Sequence, residues 1–287
     1  MELSYIHWPH PKEGEVRQQR ETEKILFLHG LGGNGSLWRP IAAMCEDQFD
    51  LLAADQRGHG KSPSGEAYPL LDMGQDVLDT MQSAHFHPAW IVGHSMGVRT
   101  AVAMAHLKPK WVRGLVLIDV GFTSATGGSI GKPLFDFLDR LPQSFNSRNE
   151  ARDYLNKNCP DPAMGLYLLA VLSMHSTTTS ASSQAPRPWT FPFDRNAMTE
   201  ILKAAQTPPI RPWIKEATEK GIPVLALRGQ TSSVWLKTHF EEEKNIFEHN
   251  PMISLEEFAG AGHGLPFEKR SEFVARLIRF IKENGDP

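Results

Sequence analysis

Short apolar runs separated by longer amphipathic stretches set the plan of this chain. The runs fall at 25–28, 51–54, 90–92, 115–118, 224–227 and 253–258, and helical periodicity fills the stretches near 38–46, 71–83, 96–106 and 268–282. A strand that is apolar throughout, rather than at alternate positions, is buried on both faces. Such strands alternating with helices predict a mostly parallel sheet flanked by helices. Two earlier segments, 3–8 and 16–19, predict an antiparallel hairpin at the sheet edge, turning through 9–14. The expectation is therefore an α/β fold with eight strands.

The alternation lapses after Asp119, at the end of the sixth predicted strand, and resumes only at Pro223. The intervening stretch has helical patterns of its own at 134–141, 150–158, 163–174 and 197–206. Ser147 and Glu150 fit a capping box for the second of these. Residues 176–186 are rich in Ser, Thr and Ala without periodicity and read as a mobile loop. A plain loop-rich insertion is the simpler alternative. Ligands of open parallel sheets, however, bind outside the carboxyl ends of the strands, where this insertion would sit. It is therefore read as a helical cap, residues 122–217, over a core made of 1–121 and 218–287.

Composition narrows the setting. A chain of 287 residues with 40% hydrophobic positions can bury one large α/β core. The net charge of −3 is spread over both signs with no basic stripe, which argues against a nucleic-acid partner. No apolar run is long enough to span a bilayer, and the first residues lack a secretory pattern. Cys45 and Cys159 have neither metal spacing nor a disulfide framework, so free thiols in a cytoplasmic protein are expected. Nothing in the pattern specifies an oligomer.

The chemistry gathers at glycine-rich turns. Gly93-His94-Ser95-Met96-Gly97 lies between a strand and a helix. A strand-to-helix turn this tight strains its central residue and needs glycine on either side. It lifts a serine hydroxyl clear of the sheet, at a helix N-terminus that favours developing negative charge. A common small-residue turn is the bland alternative. Upstream, the run 25–28 leads into His29-Gly30-Leu31-Gly32-Gly33. A loop of this kind can aim a backbone N–H at an acyl oxygen, and the amides of Leu31 and Met96 are the expected oxyanion donors. A phosphate loop is disfavoured, since no Gly-Lys-Ser/Thr follows. Near the C-terminus, Gly262-His263-Gly264 follows the last strand. Its small neighbours let His263 reach over the sheet toward Ser95. His29, His59 and His94 are given supporting roles.

Taken together, these motifs resemble the α/β-hydrolase superfamily over nearly the whole chain. His29-Gly30-Leu31-Gly32 resembles its oxyanion loop, and Asp55-Gln56-Arg57-Gly58-His59-Gly60-Lys61-Ser62 its D-x-R-G-x-G-x-S turn. Gly93 to Gly97 resembles the nucleophile elbow, and Gly262-His263 the histidine loop. Trp189-Thr190-Phe191 is similar to the W-x-F segment of small capped bacterial-type serine esterases. The resemblance implies a catalytic triad with Ser95 as nucleophile and His263 as base, and it calls for no metal or organic cofactor. One position departs from it. Most of the superfamily carries the triad acid after the seventh strand, where this chain has Ser232. Asp119 is the expected substitute, as in some branches, with Ser232 adding a hydrogen bond. An Asp that only caps the entry to the insertion is the alternative.

The leading expectation is hydrolysis of a small-molecule carboxylic ester. Lactone or thioester hydrolysis uses the same groups. Carbon–carbon bond hydrolysis of a ring-cleavage product would need fixed cations in the pocket, with Arg99 the candidate. A non-catalytic receptor of the same fold is the remaining alternative. Trp38, Phe122, Leu134, Trp189 and Phe191 are expected to line the substrate pocket.

Overall fold

The computed structural model describes residues 1–11, 22–123, 131–174, 188–204 and 209–285. Its strands are β1 (Tyr5–Trp8), β2 (Lys24–Leu28), β3 (Asp50–Ala54), β4 (Ala89–His94), β5 (Val112–Ile118), β6 (Ser173–Met174), β7 (Trp189–Thr190), β8 (Val224–Gly229) and β9 (Ile253–Phe258). Its helices are α1 (Arg39–Ala42), α2 (Leu70–Ser83), α3 (Met96–Leu107), α4 (Gly131–Arg140), α5 (Arg148–Asn158), α6 (Pro162–Val171), α7 (Arg195–Ala204), α8 (Arg211–Glu219), α9 (Lys237–Phe247), α10 (Leu265–Glu268) and α11 (Arg270–Asn284).

Seven strands form one sheet in the order β1-β3-β2-β4-β5-β8-β9. All neighbours run parallel except β1, which pairs antiparallel with β3, Tyr5 opposite Ala54. The sheet thus has seven strands among the described residues where eight were expected. The first edge strand pairs with β3. Its expected hairpin partner, 16–19, lies outside the described residues, as does the loop expected at 176–186.

The two faces of the sheet explain the apolar runs. In β2, Leu26 and Leu28 pack on one face with Val77 and Leu78 of α2, Val98 and Val102 of α3 and Phe240 of α9. Ile25 and Phe27 point to the other, against Ile41 of α1 and Phe273 and Leu277 of α11. Successive side chains of a strand alternate between faces, so burial on both demands apolar residues throughout. The edge strand β9 is more polar. Its Glu256 and Glu257 pair with Arg276 and Arg228, and Arg276 to Glu256 is 2.6 Å.

A third apolar cluster covers the carboxyl ends of the strands. Leu134 and Phe137 of α4, Leu155 of α5, Leu168 of α6 and Met198 and Ile201 of α7 pack there with Leu31 and Met96, from the turns after β2 and β4. α8 crosses the end of the 122–217 stretch and packs elsewhere: Ile214 and Ala217 share the core of α3. Ser147 caps α5, accepting from the Glu150 amide at 3.1 Å. Glu150 accepts in turn from the Asn146 amide at 2.7 Å, one residue before the position a capping box uses.

Candidate active site

Strand order brings the candidate residues together. β4, β5, β8 and β9 are consecutive neighbours, and Ser95, Asp119, Ser232 and His263 each follow one of them. The parallel ladder carries on past the strand ends. The Ser95 amide donates to Ile118 O at 2.9 Å and the Asp119 amide to Leu227 O at 2.8 Å. Both residues are thereby fixed at the carboxyl edge of the sheet.

Ser95 is held in an unusual backbone, with φ 53° and ψ −118°. The turn needs its glycines for closeness. A Cβ on Gly93 would lie 2.4 Å from Gly97 O, and one on Gly97 would lie 2.4 Å from Leu28 O. The strain raises the hydroxyl off the sheet at the first turn of α3. There it meets His263, whose Nε2 is 3.0 Å from Ser95 Oγ. On the far side of the ring, Nδ1–H donates to Asp119 Oδ2 at 2.7 Å. That hydrogen bond leaves the Nε2 lone pair facing the serine, the tautomer a general base requires.

Asp119 is fully buried and its backbone is left-handed, with φ 58°. Its carboxylate accepts three hydrogen bonds. Oδ2 takes His263 Nδ1–H and the Ser232 hydroxyl. Oδ1 takes the Gly229 amide at 2.9 Å. These three donors, rather than an arginine, compensate the burial of the carboxylate. Ser232 Oγ is itself placed by the amide of Val234 at 3.1 Å.

Four groups around these residues have structural work. His29 Nε2 accepts from the Gln56 amide at 3.0 Å, while Nδ1–H donates to Gly30 O at 2.8 Å. His59 Nε2 accepts from the Gly32 amide at 3.0 Å, and its Nδ1–H donates to Arg57 O. Asp55 binds the amides of Gly35 and Lys61 at 2.7 and 2.9 Å. His94 Nε2–H donates to the carbonyl of His263 at 2.8 Å. The turn from Asp55 to Ser62 thus braces the loop after β2, and His94 braces the loop that carries His263. Among the described residues outside regular helix and strand bonding, no hydrogen bond uses the amide of Leu31 or Met96.

Two residues of the site gave no signal in the sequence. Tyr167 of α6 reaches across to the loop after β2. Its hydroxyl accepts from the Gly30 amide at 2.9 Å and donates to Gly30 O at 3.1 Å. Glu268 clamps the histidine loop, accepting from the amides of Gly262 at 2.7 Å and Gly264 at 3.0 Å. Neither contact is local in a way that a motif or a periodicity reveals.

A narrow crevice of about 20 Å³ opens over Ser95. Gly30, Leu31, His94, His263 and Gly264 line it on one side, and Ala163, Met164 and Tyr167 on the other. None of the five aromatic or aliphatic residues expected in the pocket is among its lining. Trp38 is stacked on Phe27 at 4.8 Å inside the sheet core. Phe122 is enclosed by Trp235 and Phe247. Leu134 is buried in the cluster over the strand ends. Trp189 packs at the margin of that cluster. Phe191 lines a separate, polar pocket with Gln143 and Arg195. Large apolar side chains were drawn into packing, where their burial is most favourable. Cys45 and Cys159 are free thiols, and burial pushes the Cys45 thiol up to about 12. Arg99 is buried in another cavity, with Tyr68, Met73 and Thr100.

The buried histidines have a consequence for acid stability. Desolvation lowers His29 to about 4 and His59 and His94 to about 3. Burial is the larger cause at all three rings, and at His94 the neighbouring His263 adds to it. Their unfolded value is near 6.5. Below pH 6.5 the unfolded chain therefore binds more protons than the folded one. Stability is fully present above that value and is lost as pH falls toward 3–4. By pH 5 each ring should cost roughly 2 kcal/mol of folding stability. Thermal melts at pH 7.5 and 5.0 check this, and an unchanged melting temperature would contradict it.

The chain matches the model of the alpha/beta hydrolase fold over residues 24–270. It is 26% identical over 267 residues to an sn-1-specific diacylglycerol lipase of Xenopus laevis, covering 90% of this chain and 79% of that one. It is 24% identical over 287 residues to a 2-succinyl-6-hydroxy-2,4-cyclohexadiene-1-carboxylate synthase of Yersinia pestis, covering 96% and 93%. Among solved structures, a marine microorganism esterase superposes with a TM-score of 0.75 at 21% identity, covering 97% of this chain and 99% of that one. Among the described residues, no helix is long and apolar enough to cross a membrane.

Proposed function

The chain belongs to the α/β-hydrolase family, and from that premise we propose that it is a serine hydrolase cleaving carboxylic esters through an acyl-enzyme on Ser95. One observation carries the reading: Ser95, His263 and Asp119 form a continuous relay, with contacts of 3.0 and 2.7 Å, at the mouth of an open crevice.

Ser95 Oγ attacks the ester carbonyl carbon while His263 Nε2 takes its proton. The carbonyl oxygen becomes an oxyanion facing the amides of Leu31 and Met96, and Asp119 stabilises the imidazolium. The carbon–oxygen bond to the alcohol then breaks, and His263 returns the proton to the departing oxygen. Water attacks the acyl-enzyme, again giving its proton to His263, and the acid leaves as Ser95 is regenerated. Lactones and thioesters suit the same steps. Carbon–carbon hydrolysis of a diacid is less well supported: the described lining of the crevice holds no Lys or Arg, Arg99 lies in a different cavity, and Arg270 of the adjoining groove is a single cation where a diacid calls for several.

The test is turnover of p-nitrophenyl acetate and butyrate, with labelling by a fluorophosphonate. Turnover well above buffer and a single label on Ser95 are expected. Binding of the esters without turnover or label would favour a receptor.

A further inference from the structure

A larger apolar surface adjoins the crevice. α6 carries no charged residue along its length, Pro162 to Val171. One side of it, with Leu168 and Leu169, is buried in the cluster over the strand ends. The other side presents Ala163, Leu166, Tyr167 and Ala170, spaced i, i+3, i+4 and i+7, as one wall of a groove. Leu37, Pro40 and Phe267 help form the rest. The groove has a volume of about 580 Å³. Ala163, Tyr167 and Gly264 line both the groove and the Ser95 crevice, so the two adjoin. Leu166 is 67% exposed, the highest value among the exposed large hydrophobic residues described.

We propose that this groove holds the acyl chain of the substrate, which makes medium-chain acyl esters the substrate class. The proposal rests on the acyl-enzyme reading above. Adjacency to the crevice, across the shared residues Ala163, Tyr167 and Gly264, favours a chain attached at Ser95 over a separate protein partner. An exposed apolar patch beside a reactive group is the expected mark of such a subsite. From Ala163 to Ala170 the helix rises about 10 Å, matching roughly eight extended methylene groups. Glu268 and Arg270 also line the groove, at its edge beyond Phe267; the Glu268 carboxylate is committed to the amides of Gly262 and Gly264.

Each methylene taken out of water should raise kcat/KM about fourfold when fully buried. The experiment measures kcat/KM for p-nitrophenyl acetate, butyrate, hexanoate and octanoate with the wild type and Leu166→Asn. The readout is the octanoate-to-acetate ratio within each protein, so a loss common to both esters cancels. Calorimetric binding of octanoate to both proteins gives a readout that needs no turnover, and thermal melts verify folding. The wild-type ratio should exceed about 100, and Leu166→Asn should lower it about tenfold while weakening octanoate binding. A flat wild-type series, or equal ratios and equal octanoate binding in the two folded proteins, overturns the groove even if the esters are hydrolysed. Octanoate binding weakened by Leu166→Asn in a protein that hydrolyses no ester overturns the acyl-enzyme reading and leaves the groove as an acyl-chain site.

Discussion

Replacing Ser95 with alanine should lower kcat for p-nitrophenyl butyrate by about six orders of magnitude, the scale of loss for a serine acting within a triad. The hydroxyl's partner is His263 Nε2, so its removal deletes the attacking atom without opening a core cavity. The backbone strain at φ 53° remains, since alanine carries the same Cβ. The melting temperature should therefore stay close to that of the wild type. Labelling by the fluorophosphonate should vanish together with turnover. Cys45 offers no second nucleophile, because its buried thiol is pushed up to about 12 and donates to Ile41 O. Unchanged activity in Ser95→Ala, or a label on another residue, would falsify the assignment of the nucleophile.

The legible part of this molecule is the part governed by local rules. Burial on both faces forces β2, β4, β5 and β8 to be apolar at successive positions, so their places along the chain were readable. The elbow at Ser95 was readable because its closeness admits only glycine at 93 and 97. The contact of Asp119 with His263 was readable by elimination, once Ser232 occupied the position where a carboxylate was expected. Contacts between distant elements left no such trace. Tyr167 reaches Gly30 across 137 positions, and nothing around it distinguishes it from another apolar residue of α6. Trp38 and Phe122 show the converse error. A large aromatic near a motif suggests a pocket, yet both are fully buried in packing. Side-chain volume tells that a residue will be enclosed, not whether protein or ligand encloses it.

Replacing Asp119 with asparagine should lower kcat by about 10⁴, the loss found when the triad acid of a serine protease is changed in this way. The hydrogen bonds explain why an isosteric change is so costly. Both oxygens of Asp119 act only as acceptors: Oδ1 from the Gly229 amide, Oδ2 from His263 and Ser232. An amide has one accepting end. If its NH₂ faced Gly229, two donors would meet, and the backbone there cannot turn away. If its NH₂ faces His263, the ring must accept at Nδ1 and carry its proton on Nε2. The second arrangement lets a ring change tautomer rather than forcing a backbone to move, so it should prevail. It also removes the lone pair that would take the Ser95 proton. Ser232→Ala is the contrasting variant. It deletes one hydroxyl donor but leaves the carboxylate bonded to His263 and Gly229, and should cost about tenfold or less. The double variant Asp119→Asn with Ser232→Asp places a carboxylate beside the same ring and should recover part of the lost rate. Kinetics of the wild type and these three variants, with melts to verify folding, decide the matter. Near-normal turnover in Asp119→Asn would move the orienting role to a different group.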